Sequence, residues 1–134
     1  MKTNQIKKLI TVCIIMILAI TTSCKKEANQ LNNPNLVGIW SHVQQVGFNS
    51  DILTQLDLEQ DGSGKKTIMR ITTSSTTTTA EDNLSWKTSN NNTLTLKLDG
   101  DSEINYSFEI ANENTELKLT EISNGTTTVF FKSE

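Results

Sequence analysis

The stretch "INYSFEI" (Ile104–Ile110) decides the fold class. Apolar Ile104, Tyr106, Phe108 and Ile110 alternate with polar Asn105, Ser107 and Glu109. A strict period of two is the pattern of a strand with one wet face and one buried face. The same alternation recurs on both sides. Upstream, "LTLKL" sets Leu94, Leu96 and Leu98 on one face, and "LSWKT" sets Leu84 and Trp86 against Ser85 and Lys87. Downstream, "ELKL" aligns Leu117 with Leu119, and "TTVFFK" is expected to turn Val129 and Phe131 inward. Turn-forming clusters separate these runs: "SNNN", "DGD", "NEN" and "SNG". Asn124-Gly125 is the strongest hairpin signal, because a type I′ turn requires positive φ at both central residues.

The earlier part is less regular. "GIWSHVQQV" supplies a strand over Ile39–Val46, and "ILTQLDLEQ" follows with Leu56 and Leu58 on one face. "DGSG" (Asp61–Gly64) marks a turn, and "KKTIMRIT" returns. The threonine run in "TTSSTTTTAED" has strand propensity but no apolar face to bury, so it is expected as an exposed loop or a strand end. No stretch carries a convincing helical period. The result is an all-β chain of about eight strands. Short turns make consecutive strands antiparallel, and a meander of this length closes into a barrel or curls into a sandwich.

The N-terminus has a different design. Lys2, Lys7 and Lys8 precede the apolar run Leu9–Ile20, and small residues Thr21–Ser23 precede Cys24. That is the plan of a helical signal peptide over residues 1–23. The run of 12 residues falls short of the ~20 needed to cross a hydrocarbon core. The chain has only two cysteines, Cys13 within this run and Cys24 just after it. An exported domain with one cysteine at its new N-terminus has no internal disulfide to form. Residues 24–35 are polar and contain the only proline, Pro34, as expected of a flexible tether. The folded domain is expected over residues 36–132.

Charge and residue inventory exclude several chemistries. The 134-residue chain has 12 basic and 15 acidic residues. Loss of Lys2, Lys7 and Lys8 with the signal leaves nine basic against 15 acidic residues, a net charge near −6. An acidic domain with Arg70 as its only arginine has no phosphate-binding stripe, so nucleic acid is not an expected partner. His42 is the only histidine, so no multi-histidine metal site can form, and no metal or cofactor is expected. Asp57, Glu59, Asp61 and Gly62 mimic the start of a calcium loop, but its twelfth position is Ile68 rather than an acid. A strand with outward carboxylates and a glycine hairpin explains them. No nucleophile-and-base pattern emerges, and an enzyme is not expected.

Two resemblances bear on address and function. "TTSC" resembles the lipobox of bacterial lipoproteins, with Thr21 where that family usually carries leucine. It implies lipidation of Cys24, cleavage before it, and a membrane partner held through acyl chains. The following "KKE" loosely resembles export signals of Bacteroidota surface lipoproteins, which implies the cell envelope and the outer membrane, on its periplasmic or surface face. Over residues 36–132 the ordered set "LVGIW", "DGSG", "LSWK" and "NTLTL" resembles the small lipocalin-like (calycin) domains of such lipoproteins. This resemblance implies an eight-stranded barrel with Trp40 plugging its floor and Gly38 letting the chain pass beside it. Lipocalins usually place an arginine near the last strand against this tryptophan, where the present chain has only Lys132.

Two functions stand. In the first, a monomeric barrel holds a small apolar or amphipathic ligand opposite Trp40. Alternation from Trp40 sends His42 and Gln44 inward, and Tyr106 and Phe108 join them as candidate ligand contacts. A cavity below about 100 Å³ would exclude this function, because ligand pockets start near ~300 Å³. In the second, the core is filled and the outer surface binds an envelope protein or a glycan. Most of the aromatic residues are expected in the core, because a domain of this size has little apolar area to spare.

Overall fold

The computed structural model describes residues 32–89 and 92–133. Eight strands follow in order: β1 (Gly38–Gly47), β2 (Ser50–Leu58), β3 (Ser63–Thr72), β4 (Thr76–Ser89), β5 (Thr93–Leu98), β6 (Ile104–Ala111), β7 (Glu116–Glu121) and β8 (Thr127–Lys132). Each pairs antiparallel with the next, and β8 returns to β1, closing the barrel. The all-β closed meander is therefore as expected. The signal segment, Cys24 and most of the tether lie outside the described residues.

The alternation read from the sequence becomes the inside of the barrel. Leu56 and Leu58 of β2, Leu84 and Trp86 of β4, Leu94 and Leu96 of β5, Phe108 of β6, and Leu117 and Leu119 of β7 are buried together. Burying such side chains stabilises by about 1.5–3 kcal/mol each, which is the main driving force here. Among the described residues these side chains form one cluster, which Leu36 joins from just before β1.

One end is sealed. A 3₁₀ turn, Pro34–Leu36, crosses the barrel below β1 and buries Leu36 completely. Trp40 is equally buried, and its Nε1–H donates to the Leu36 carbonyl at 2.7 Å. Asn32 also contacts the barrel: its side-chain oxygen accepts from Thr88 N–H at 3.3 Å. Trp86 closes the neighbouring corner. Its Nε1–H is shared between the carbonyls of Glu59 and Ser63, both at 2.9 Å, which clamps the β2–β3 turn. That turn spans residues 59–62, so Ser63 and Gly64 already belong to β3. Asp61 Oδ1 accepts from the Ser63 hydroxyl at 2.6 Å and the Ser63 N–H at 2.8 Å. These bonds, the hydroxyl first, hold its carboxyl below the usual carboxylate range.

The other end is uneven. The strands β1 to β4 run 10, 9, 10 and 14 residues, while β5 to β8 run 6, 8, 6 and 6. The first four strands thus form a tall wall above a short one. β4 pairs with β5 from Leu84 to Ser89, and the Asn83 carbonyl accepts from Asp99 N–H at 3.1 Å, which leaves Thr76–Asp82 as a free edge. Of the two forms expected for the threonine run, the structure takes the strand end: Thr76–Thr79 are the exposed first residues of β4. Threonine suits an exposed strand without an apolar face. The register against β3 skips Thr79, and the Thr79 hydroxyl donates to the Ile68 carbonyl at 3.1 Å. A bulge of this kind, with Glu81 and Asp82 nearby, makes the edge a poor template for aggregation.

Two expectations need correction. In β8 it is Phe130, not Val129 and Phe131, that turns inward: Phe130 is 6% exposed and Phe131 57%. Pairing with β7 decides this parity, since Phe130 lies opposite buried Leu117. The pair of positive-φ central residues expected at Asn124-Gly125 lies elsewhere. At Asn124-Gly125 the hairpin forms, but only Gly125 has positive φ, while Asn124 Oδ1 accepts from Thr126 N–H at 2.8 Å. Positive φ at two central residues occurs in the "NEN" turn, at Glu113 and Asn114 (55° and 67°), closed by Thr115 N–H to Asn112 carbonyl at 3.1 Å.

Candidate functional site

Above the sealed end the barrel is hollow. The cavity has a volume of about 320 Å³ and opens at the mouth opposite Trp40. That clears the ~300 Å³ at which ligand pockets begin. Its walls are mainly apolar, with Leu56, Ile68, Leu84, Leu96, Leu98 and Phe130 among them. A few polar groups interrupt this surface: His42, Gln44, Thr54, Lys66, Tyr106 and Thr128. Asp101 and Ser102 reach the rim from the β5–β6 loop.

The expected contact residues divide. His42 and Gln44 line the cavity as alternation from Trp40 requires, and so does Tyr106. Phe108 does not. It is buried in the core nearer the sealed end, two residues further along β6 than Tyr106, so its ring fills space rather than lining the cavity. Cys24 lies outside the described residues. Gly38 and Trp40 are at the floor. Gly38 has φ +128°, and a Cβ there would sit 3.0 Å from Lys132 Cε. The close passage at Gly38 is thus with the Lys132 stem, while its positive φ starts β1.

His42 also holds the barrel seam. β1 and β8 pair only at Trp40–Lys132 and Ser41–Phe131. One residue above, the imidazole replaces the backbone ladder. His42 Nδ1 lies 2.8 Å from the Val129 carbonyl. A carbonyl can only accept, so Nδ1 carries the proton and Nε2 is left to face other groups. The ring also packs at 55° on Phe130, 5.7 Å between centroids.

Tyr106 supplies the second polar contact on the opposite side of the cavity. Burial raises its hydroxyl above the usual phenol range, and the nearby Glu121 carboxylate adds to this. It therefore remains a neutral hydrogen-bond group over the physiological range.

Lys66 escaped the sequence reading. Two adjacent lysines in "KKTIMRIT" leave open which one faces inward. The signal was in the hairpin: Gly64 pairs with Leu58, so Lys66 pairs with Leu56 and shares its inner face. Thr54, Leu98, Ile104 and Thr128 were missed as lining residues for a related reason, since the cavity extends over strand ends that the alternation alone does not rank. Among the described residues no cluster of three or more histidine, cysteine or acidic side chains is placed to hold a metal.

Comparison with known protein families, curated proteins and solved structures returned no match. The site must be judged on its own chemistry: an apolar chamber of ligand size, closed below, open above, with a few hydrogen-bonding groups.

Proposed function

We propose that this chain is a lipid-anchored bacterial envelope protein whose barrel binds a small apolar or amphipathic molecule. The observation that carries the ligand reading is the chamber of about 320 Å³ above Trp40. A domain this small gains most from filling its core, so a chamber of this size is a departure that ligand binding would explain. The lipocalin-like character rests on the closed eight-strand order together with Gly38-x-Trp40 at the floor. Binding without chemistry accords with the polar groups present, because His42, Tyr106, Gln44 and Thr54 offer hydrogen bonds that orient a ligand rather than a nucleophile-and-base set.

The anchor rests on the N-terminal sequence: the basic start, the short apolar run and "TTSC". A diacylated Cys24 would hold a monomeric barrel on the outer membrane, the polar residues behind it acting as tether. Multiple acyl chains anchor stably, since each buried CH₂ contributes about 0.8 kcal/mol.

A second reading has its own support. Val43, Val46 and Phe48 are exposed along β1 and the β1–β2 tip, and Phe131 is exposed on β8. Exposed apolar groups of this kind favour contact with an envelope protein or glycan.

Native mass spectrometry of the chain from Lys25 onward, purified from its host, tests the primary reading. A stoichiometric small molecule that leaves on activation is the expected result. A bare protein mass, with no uptake from a lipid extract, would overturn it. Metabolic palmitate labelling tests the anchor: Cys24→Ser should abolish the label.

A further inference from the structure

Among the described residues a single lysine or arginine, Lys66, lines the apolar chamber. Lys66 of β3 lies in the same cross-strand row as Leu56 and Trp40, on the inner face of the wall. It lines the cavity and is half-buried. Lys65, its outward neighbour, is paired with Glu81 at 2.9 Å, and Lys87 is paired with Glu103 at 3.3 Å. Those are the ion pairs among the described residues, and Lys66 belongs to neither. An ammonium drawn toward apolar walls loses hydration and gains nothing in return unless it meets an anion, which makes this position expensive for a merely structural residue.

The surrounding charges do not supply that anion. Asp82 is the Cα partner of Lys66 on β4, yet it is solvent-exposed and forms no ion pair with it. Asp101 lines the rim, exposed on the β5–β6 loop, where water and salt screen it. Arg70, four residues beyond Lys66, is exposed near the top of β3. It adds a second positive charge to the wall above the chamber.

We propose that Lys66 binds the carboxylate of a single-chain amphiphile whose hydrocarbon tail occupies the chamber against Leu56, Leu84, Leu96 and Leu98. This assignment rests on the small-molecule reading and narrows it to an acid. The chamber also limits the length. At roughly 30 Å³ per non-hydrogen atom, the share of one molecule in liquid water, about 320 Å³ holds on the order of ten such atoms. A medium-chain fatty acid fits that volume, whereas a two-chain phospholipid does not. The carboxylate forms a charge-assisted bond to the ammonium in a partly desolvated site, which favours the acid over an uncharged analogue of the same length.

Titration calorimetry on the chain from Lys25 onward tests this, with decanoate, decanol and decylamine as probes. Decanoate is expected to bind at least about tenfold tighter than decanol. Lys66→Met, which keeps the length of the stem and removes the charge, should bring the two to equal affinity. Lys66→Arg should retain the preference. Equal affinities in the unaltered protein would overturn the assignment without any variant. So would a preference that survives Lys66→Met, or tightest binding of decylamine, which would move the polar contact to Asp101. If none of the three probes binds, the small-molecule reading itself falls. If all three bind alike, that reading stands and only the role of Lys66 is lost.

Discussion

The Lys132 ammonium lies over the indole of Trp40, 5.2 Å from the ring centroid. The two residues are also Cα partners in the seam that closes the barrel. The last strand therefore covers the floor tryptophan with a lysine, at the place where the lipocalin resemblance implies an arginine. A cation over an indole face contributes about 0.5–1 kcal/mol at an exposed site, and the lysine stem adds packing against Gly38. Lys132→Ala should lower stability by about 1 kcal/mol in urea unfolding, and Lys132→Arg should retain or slightly raise it. Equal stability of all three proteins would show that the contact is idle.

Gly64 and Gly47 should respond oppositely to alanine. A Cβ at Gly64 would stand 2.3 Å from the Asp57 carbonyl oxygen and 2.9 Å from Leu84 Cδ1. Backbone cannot give way cheaply there, so Gly64→Ala should cost about 1–3 kcal/mol. Nothing lies within 4 Å of a Cβ at Gly47, and its φ is not in the left-handed region. Gly47→Ala should be neutral or stabilise by up to about 1 kcal/mol through the unfolded chain. Thermal melts of the two variants separate these effects directly.

The neighbours Phe130 and Phe131 give a sharp contrast in β8. Phe130 packs on His42 and lines the chamber, while Phe131 points to solvent. Phe130→Ala should cost about 3 kcal/mol or more, and Phe131→Ala should stay within about 0.5 kcal/mol. The opposite order would mean that β8 is paired one residue out of register with β7.

Tyr106 is the only tyrosine, so its titration can be followed cleanly by phenolate absorbance. Its folded-state pKa is raised above the ordinary value near 10, by burial first and Glu121 second. The folded protein thus resists ionisation more than the unfolded chain does. The stability contributed by the neutral phenol is present below pH 10 and is lost as pH rises through the raised value. Stability should therefore fall on the alkaline side, and less steeply in Tyr106→Phe. An onset of phenolate absorbance below that of free tyrosine would contradict this order.

The core was largely legible because alternation is local. Leu84, Trp86, Leu94, Leu96, Phe108, Leu117 and Leu119 were all readable from a period of two within single segments. His42, Gln44 and Tyr106 followed by extending that parity along their strands. Phe130 was not readable, because two adjacent aromatics satisfy either parity, and only the pairing with Leu117 selects one. In the threonine run the choice between loop and strand end was open for a related reason. Its strand is held by hydrogen bonds to β3, a partner that no apolar pattern within the run announces.

The sequence by itself determined an antiparallel β chain, its hairpin positions, the tryptophan at the start of the first strand, and an N-terminal region unlike the rest. Each depends on residue chemistry over fewer than about ten positions, the length of a strand or a turn. Tertiary structure alone decided how the strands differ in height, that Lys132 covers Trp40, and that a chamber of about 320 Å³ remains above it. It also turned Lys66 rather than Lys65 inward. Those outcomes depend on register between strands distant in sequence. A shift of one residue would exchange the two faces of a whole strand, and no single segment records which shift the closed barrel takes.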